Sequence, residues 1–161
     1  MNYRLMQAAD LPAVYAIQNL CYVSAMVEPL ALLQSRWRSA PDTSWVAEDE
    51  QGICAYLFAY PSIRGKITRL GADFAIAAAP DCLYLHDLAV APRAAGQGAG
   101  AGLVQTALQN AMGLRYSCLV SVQSTRQFWQ RQGYTEQTEL DQEQQACLET
   151  YTGPASYWKN L

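Results

Sequence analysis

Apolar residues along the chain fall into short blocks whose spacing switches between two and about 3.6, the mark of interleaved strands and helices. Residues 2–7 alternate loosely and predict a short first strand. Asp10 can cap the helix that follows, with Pro12 in its first turn and Val14, Ile17, Leu20 and Cys21 on one face. A second helical pattern runs over residues 29–38 and stops at Ser39-Ala40-Pro41-Asp42. SWVAEDE and ICAYLFAY are strand-like runs joined around Asp49–Gly52, which predicts a hairpin. Residues 61–81 read as a long loop, and loops of that length often line a binding site. CLYLHDLAV is the most strand-like run of the chain and leads into a glycine-rich turn. A helix over 99–112 would set Leu103, Ala107 and Ala111 beside Val104, Leu108 and Met112, with Gly113 closing it. A strand at 115–122 follows, and Ser124 and Gln127 have capping-box spacing for a short helix ending at Gly133. From Tyr134 to Leu161, two more strands are expected around the polar stretch EQTELDQEQQ. No repeat or linker interrupts the pattern, so one mixed α/β domain over residues 1–161 is expected.

Composition narrows the function. Hydrophobic residues make up 51% of the 161 and charged residues 16%, enough to bury an ordinary core. Eleven Lys and Arg against fourteen Asp and Glu give a net charge of −3, with no basic cluster, so nucleic acid is not an expected partner. The start, MNYRLMQAAD, lacks a charged-then-apolar leader layout, and no apolar run nears the roughly 20 residues of a membrane helix. Five widely spaced cysteines without a C-x-x-C suggest reduced thiols in a cytoplasmic protein. With a single histidine, no metal site is expected.

The chemistry concentrates in LYLHDLAVAPRAAGQGAGAGLVQTAL. Gly96, Gly98, Gly100 and Gly102 alternate with Gln97, Ala99 and Ala101, so backbone N–H groups can converge without obstruction by Cβ atoms. At a helix N-terminus such a turn seats a phosphate or pyrophosphate. The nucleotide-triphosphate loop G-x-x-x-x-G-K-(S/T) is absent, since neither Lys nor Ser/Thr follows these glycines. Gly96, Gly98 and Ala101 satisfy G-x-G-x-x-(G/A), but the next strand, LRYSCLVSVQ, lacks the acidic residue that a dinucleotide site requires. Coenzyme A is the third phosphate ligand to be weighed, and a tightly packed turn with no ligand is the remaining alternative.

At this point the sequence resembles the GNAT acyltransferases, whose signature is a strand, roughly (Q/R)-x-x-G-x-(G/A), then a helix. V-A-P-R-A-A-G-Q-G-A-G is similar to the family run V-x-P-x-x-R-G-x-G-x-G, and S-T-R-Q-F-W-Q-R-Q-G-Y resembles its later helix. The resemblance implies a mostly antiparallel sheet of six or seven strands, splayed between the fourth and fifth and flanked by about four helices. It implies acetyl-CoA as co-substrate, held by residues 95–100: Ala95, Gly96, Gln97, Gly98, Ala99 and Gly100. Ala95 departs from the family's usual Arg or Gln, and Arg93 or Gln97 would have to compensate. Leu88, Ala89 and Val90 would offer backbone groups to the pantetheine arm, one N–H serving as an oxyanion donor worth typically about 3 kcal/mol.

An alkyl amine, with a pKa of roughly 10, must shed a proton before attack, and the CoA thiolate, near 8.5, can receive one. His86 is the candidate for the first task, and L-H-D-L-A-V is similar to the L-H-x-L-A-V of serotonin N-acetyltransferase-like members. Strand alternation would put His86 on one face with Tyr84, Leu88 and Val90, and Asp87 on the other in a structural or supporting role. The family's usual acidic tyrosine is Trp129 here, which would pack on the pantetheine or line the acceptor site. Tyr134 or Tyr84 would substitute as the acid, or solvent would. Tyr22, Met26, Glu28 and Trp37 fall where the family builds its acceptor pocket, with Glu28 either holding a cationic amine or standing as a solvated surface carboxylate. The expected reaction is direct acetyl transfer to a small amine, an amino acid or a peptide N-terminus. A non-catalytic acyl-CoA-binding module is the alternative. The C-terminal strand around Ala155–Trp158 is expected to be an exposed edge that can pair into a homodimer.

Overall fold

The computed structural model describes residues 1–161, apart from the side-chain surroundings of Asn160. The chain runs β1 (Asn2–Leu5), α1 (Leu11–Cys21), α2 (Leu30–Ser39), β2 (Trp45–Asp49), β3 (Gly52–Ser62), β4 (Cys82–Val90) and α3 (Ala99–Gln109). It continues through β5 (Tyr116–Ser121), α4 (Arg126–Arg131), β6 (Thr135–Glu136), α5 (Gln142–Leu148) and β7 (Ala155–Asn160). The strands form one seven-stranded sheet in the order β1-β2-β3-β4-β5-β7-β6, antiparallel except where β4 meets β5. This is the expected mixed α/β architecture, with five α-helices rather than about four. The additional one, α5, occupies the polar stretch, and the Asp141 carboxylate caps it by accepting from the Gln144 N–H at 2.8 Å.

The parallel contact is short. Cys82–Leu85 pair with Tyr116–Leu119, and the ladder ends there, so the last five residues of β4 part from β5. Toward β3 the pairing runs the whole length of β4 with one irregularity. Leu85 faces Ala59 and Asp87 faces Phe58, which leaves His86 as an extra residue in a β-bulge. The bulge resets the alternation. Leu83 and Leu85, then Leu88 and Val90, pack on the α3 side; Cys82 and Tyr84, then Ala89 and Ala91, pack on the α1 side. His86 lies against Phe74, and Asp87 bonds Tyr56, both on that second side. The expected opposition of His86 and Asp87 is therefore overturned, as is the shared face of His86 with Leu88 and Val90.

The two cores differ in grain. On β3 the small Ala55 and Ala59 flank Leu57 and face α3, whereas Tyr56, Phe58 and Tyr60 face α1. Small residues let α3 lie close to the sheet, its sheet face being Leu103, Val104 and Ala107. The expected partner Met112 stands beyond the end of α3 and is 91% exposed, and Leu20 on α1 is likewise exposed. Asp10 precedes α1, but its carboxylate is held by Arg4 at 2.7 and 3.0 Å and by the Gln7 N–H rather than capping the helix. Ser124 does not cap α4: Thr125 occupies that position, while Gln123 and Ser124 take left-handed φ of 52° and 62°. The C-terminal strand is not an edge. β7 is bonded to β5 on one side and to β6 on the other, so pairing through Ala155–Trp158 is blocked.

Leu103→Ala should lower unfolding stability by about 2–5 kcal/mol, as expected for a fully buried leucine, while Met112→Ala should change it by less than about 0.5 kcal/mol. Urea denaturation of both variants checks the corrected face of α3.

Candidate active site

Where β4 and β5 part, a cleft of about 590 Å³ opens between α3, α4 and the segment after α1. Its outer end begins at the glycine-rich turn. Gly96 and Gly98 have φ of 77° and 85°, a conformation that costs a residue with a Cβ about 1–2 kcal/mol. The backbone N–H groups of Gly96, Gly98, Ala99, Gly100 and Ala101 have no protein acceptor among the described residues. They precede the eleven-residue α3, so unshared donors and the positive end of the helix dipole coincide. Gly100 sets the throat: a Cβ there would lie 3.3 Å from Val90 Cγ2 and 3.5 Å from Phe128 Cζ. A pyrophosphate fits this cradle, and a narrow, mostly apolar arm fits the gap lined by Leu88, Ala89, Val90, Val120, Phe128 and Trp129.

The inner end is titratable. Tyr22, Glu28, His86, Asp87 and Tyr151 all line it, with Met26 and Leu70 between them. Glu28 is buried and receives a two-pronged contact from Arg36, one prong at 2.7 Å, plus the Gly71 N–H at 2.8 Å. Burial works to raise the Glu28 carboxyl, but His86 and the Arg36 guanidinium together outweigh it and hold the group below the usual carboxylate range. Arg36 also donates to the Ala72 carbonyl from Nε at 3.1 Å, which ties residues 70–72 to the same carboxylate. The segment 63–81 is thus a fastened strap; further bonds run from Ile67 N–H to Gln144, from Leu70 N–H to Thr150, and from the Tyr151 hydroxyl to the Thr68 carbonyl.

The His86 imidazole is 2% exposed, although its residue as a whole is half-buried, so its solvent contact is through the backbone at the bulge. Nε2 lies 3.9 Å from Glu28 Oε2, too far for a hydrogen bond but close enough for attraction. Nδ1 is buried with no partner among the described residues. Burial, and then the nearby Arg36 charge, lower the His86 pKa, so the ring is neutral at pH 7. With the N–H on the Nε2 side facing Glu28, Nδ1 carries the free lone pair, an arrangement that can accept a proton. Beside it, Asp87 accepts from Tyr22 at 2.6 Å and from Tyr56 at 2.8 Å. The Tyr22 hydroxyl also stands 3.2 Å from the Leu88 carbonyl, and Cys21 Sγ stands 3.2 Å from the Val90 carbonyl.

The cleft gathers most of the residues singled out in the sequence: His86, Leu88, Ala89, Val90, Ala95, Gly96, Gly98, Ala99, Gly100 and Trp129, with Tyr22, Met26 and Glu28. Five others lie elsewhere. Tyr134 is buried beneath Trp129 with its hydroxyl 2.7 Å from Ser117 Oγ, and burial raises its pKa, so it does not reach the cleft. Tyr84 is buried in the α1-side core, and Trp37 donates to the Met6 carbonyl at 2.9 Å. Gln97 turns back to the Arg93 carbonyl, while Arg93 pairs with Asp49 and bonds the carbonyls of Gly52 and Ile53. Neither compensates for Ala95. Glu28 is not a solvated surface carboxylate, because α2 brings Arg36 onto it. Arg131 and Tyr151 line the cleft without having been anticipated; Arg131 follows Phe128 by one helical turn, and that spacing was its only signal.

A sequence profile described as Acetyltransferase (GNAT) family matches residues 11–134, and the chain belongs to that family. Membership makes it a transferase with acetyl-CoA as co-substrate, which the cradle and the parted strands accommodate. No curated protein matches the chain by sequence. Among solved structures, the GphF GNAT-like decarboxylase in complex with isobutyryl-CoA is 15% identical with a TM-score of 0.77, covering 99% of both chains. The loading GNATL domain of CurA from Lyngbya majuscula is 16% identical with a TM-score of 0.76, over 99% of this chain and 96% of that one. A Mycobacterium tuberculosis protein in complex with CoA is 17% identical with a TM-score of 0.68, over 100% and 99% of the two chains. At these identities the likeness is one of fold.

Glu28→Gln strands the buried Arg36 without a counter-ion and should cost about 3–5 kcal/mol, with faster proteolysis within residues 63–81. The folded carboxyl is lowered, so its contribution is complete above the unfolded value of about 4.3 and fades as pH falls through the folded value. The stability gap between wild type and variant should therefore be full at pH 7 and narrow below about pH 4, as read by urea melts across that range.

Proposed function

We propose that the chain is an N-acetyltransferase that moves an acetyl group directly from acetyl-CoA to a primary amine, whether a small amine, an amino acid or a peptide N-terminus. One domain spanning residues 1–161 would carry the whole reaction. The observation that supports this reading most is the unpartnered Nδ1 of a neutral, buried histidine at the inner end of a cleft whose outer end is a cradle of unshared amides. The donor supplies an activated thioester carbonyl. The amides of Gly96 and of residues 98–101 hold the pyrophosphate, and Arg131, which makes no ion pair among the described residues, adds the positive charge that Ala95 lacks. Leu88, Ala89 and Val90 flank the pantetheine arm with their backbone groups, and Trp129 packs along it.

His86 Nδ1 takes a proton from the ammonium form of the acceptor, freeing the lone pair that attacks the carbonyl. The C–S bond breaks as the amide bond forms, and CoA leaves as thiolate. Both cleft tyrosines have engaged hydroxyls, Tyr22 on Asp87 and Tyr151 on Thr68, so the thiolate, near pKa 8.5, takes its proton from solvent. A cytoplasmic location is part of the proposal, and five unpaired cysteines support it. Among the described residues no helix is long and apolar enough to cross a membrane.

Thiol release from acetyl-CoA, followed with a panel of primary amines, tests the reading. Wild type should turn over, and His86→Ala should lose about a hundredfold or more in kcat/KM while acetyl-CoA still binds. Because the folded His86 pKa is lowered, activity should be flat at neutral pH and fall only as pH drops below about 6.5. Tight CoA binding with no thiol release for any amine would favour a non-catalytic module instead. Gly98→Ala should weaken acetyl-CoA binding measurably by straining the cradle, with calorimetry as the readout.

A further inference from the structure

The acidic groups of the inner cleft are not equivalent. Glu28 is neutralised by Arg36, whose guanidinium is fully buried and spends its remaining reach on the Ala72 carbonyl. Asp87 is 8% exposed and lines the same cleft, but no Lys, Arg or protonated group pairs with it among the described residues. Its two oxygens accept one phenol each, from Tyr22 and Tyr56, which leaves a lone pair on each oxygen. Two neutral donors soften the loss of water but do not cancel a charge. Every nearby group fails to supply the missing cation: Cys21 and the tyrosines are neutral, His86 is neutral, and Arg36 is committed. The bulge places Asp87 on the same face as His86, whose Nδ1 is itself buried and unpartnered. A buried carboxylate without a counter-ion beside a free proton acceptor is a site short of one cation that carries a removable proton.

We propose that Asp87, held between Tyr22 and Tyr56, is the subsite that binds the acceptor's ammonium group, so that the acceptor class is an alkylammonium cation rather than a neutral amine, an alcohol or a carboxylate. The inference rests on the transferase reading for the identity of the ligand. Asp87 orients the cation by charge and by the fixed plane of its carboxylate, and His86 receives the proton before attack. Once that proton has gone, the attraction falls to that of an ordinary hydrogen bond, so the nucleophile is released toward the thioester. An acceptor that presented a carboxylate to this subsite in place of the ammonium would face like charge in a buried site, which selects against it.

Two measurements test this separately from turnover. Titration of the CoA-bound protein with butylammonium and with butanol, by calorimetry, should show at least about a tenfold preference for the cation in wild type. Asp87→Asn should abolish that preference and leave CoA affinity within about twofold. Tyr22→Phe keeps the charge while removing one donor, so the preference should persist. Where an amine turns over, Asp87→Asn should raise its KM by about tenfold or more. Equal binding of cation and alcohol by wild type would overturn the proposal, as would an Asp87→Asn variant that still prefers the cation. Equal loss of preference in Asp87→Asn and Tyr22→Phe would overturn it too, since that pattern belongs to a purely structural carboxylate. If no amine turns over but butylammonium binds and Asp87 governs it, the subsite stands and the transferase reading falls.

Discussion

Strand β4 serves two neighbours that demand different things of it. Toward β3 it is antiparallel along its whole length, whereas toward β5 it is parallel for four pairs and then free. One inserted residue, His86, lets the strand bend away from β5 while keeping its ladder with β3 intact. From this follow the opening of the cleft, the exposure of the Leu88–Val90 backbone within it, and the placement of two consecutive polar side chains on one face of the sheet. Without the bulge, Asp87 would face the α3-side core, where no donor awaits a carboxylate.

The cleft it opens has two ends of opposite polarity, and the protein makes each end in a different way. The outer end uses no fixed charge of its own; five unshared amides and a helix dipole create a field suited to an anion. The inner end holds two carboxylates and one arginine, leaving a net negative charge beside a neutral imidazole. Arg36 is fully buried and bridges Glu28 to the Ala72 carbonyl, so the ion pair is also the clasp of the strap that covers this end. Its contribution is one of shape. A hydrophobic pair of similar volume could match it in stability, but would not fix residues 70–72 and the Glu28 carboxylate at one distance from His86.

Much of this was legible in the chain, and the reasons for success and failure are physical. The glycine alternation at 96–102 predicted the turn because left-handed φ and close approach at Gly100 are backbone demands that sequence records directly. The apolar runs predicted β4 to the residue, and β3 and α3 to within three residues at their ends, since buried elements must be apolar. The bulge left no trace. CLYLHDLAV alternates smoothly on paper, and the extra residue appears only when Phe58 and Ala59 fix the pairing from the opposite strand. The α5 helix was missed because it is almost wholly solvated, with Leu148 its one buried residue, so hydrophobic periodicity was silent. Its trace was Asp141 three residues before Gln144, a local capping pair. The burial of Glu28 depended on Arg36 eight residues on, a distance at which charge pairing is set by how α2 packs and not by helical spacing.

Trp129 shows how one departure from a family pattern reorganises its surroundings. An indole in place of a phenol removes a proton donor but adds a broad apolar face, and here that face is clamped edge-on between Phe128 at 4.9 Å and Tyr134 at 5.5 Å. Tyr134 is thereby held in the core, its hydroxyl on Ser117, and no phenol on the α4 side can approach a leaving group. The phenols that do line the cleft, Tyr22 and Tyr151, reach it from the opposite wall and are already spent on Asp87 and on the strap. The titratable groups are thus gathered at the inner end, at Glu28, His86 and Asp87, while α4 offers the gap the apolar rings of Phe128 and Trp129; on the proposed reading, proton transfer falls to the acceptor side. Such a division suits a reaction whose harder proton transfer is removal from an alkylammonium of pKa roughly 10, since a thiolate near 8.5 can leave unprotonated at neutral pH with little penalty.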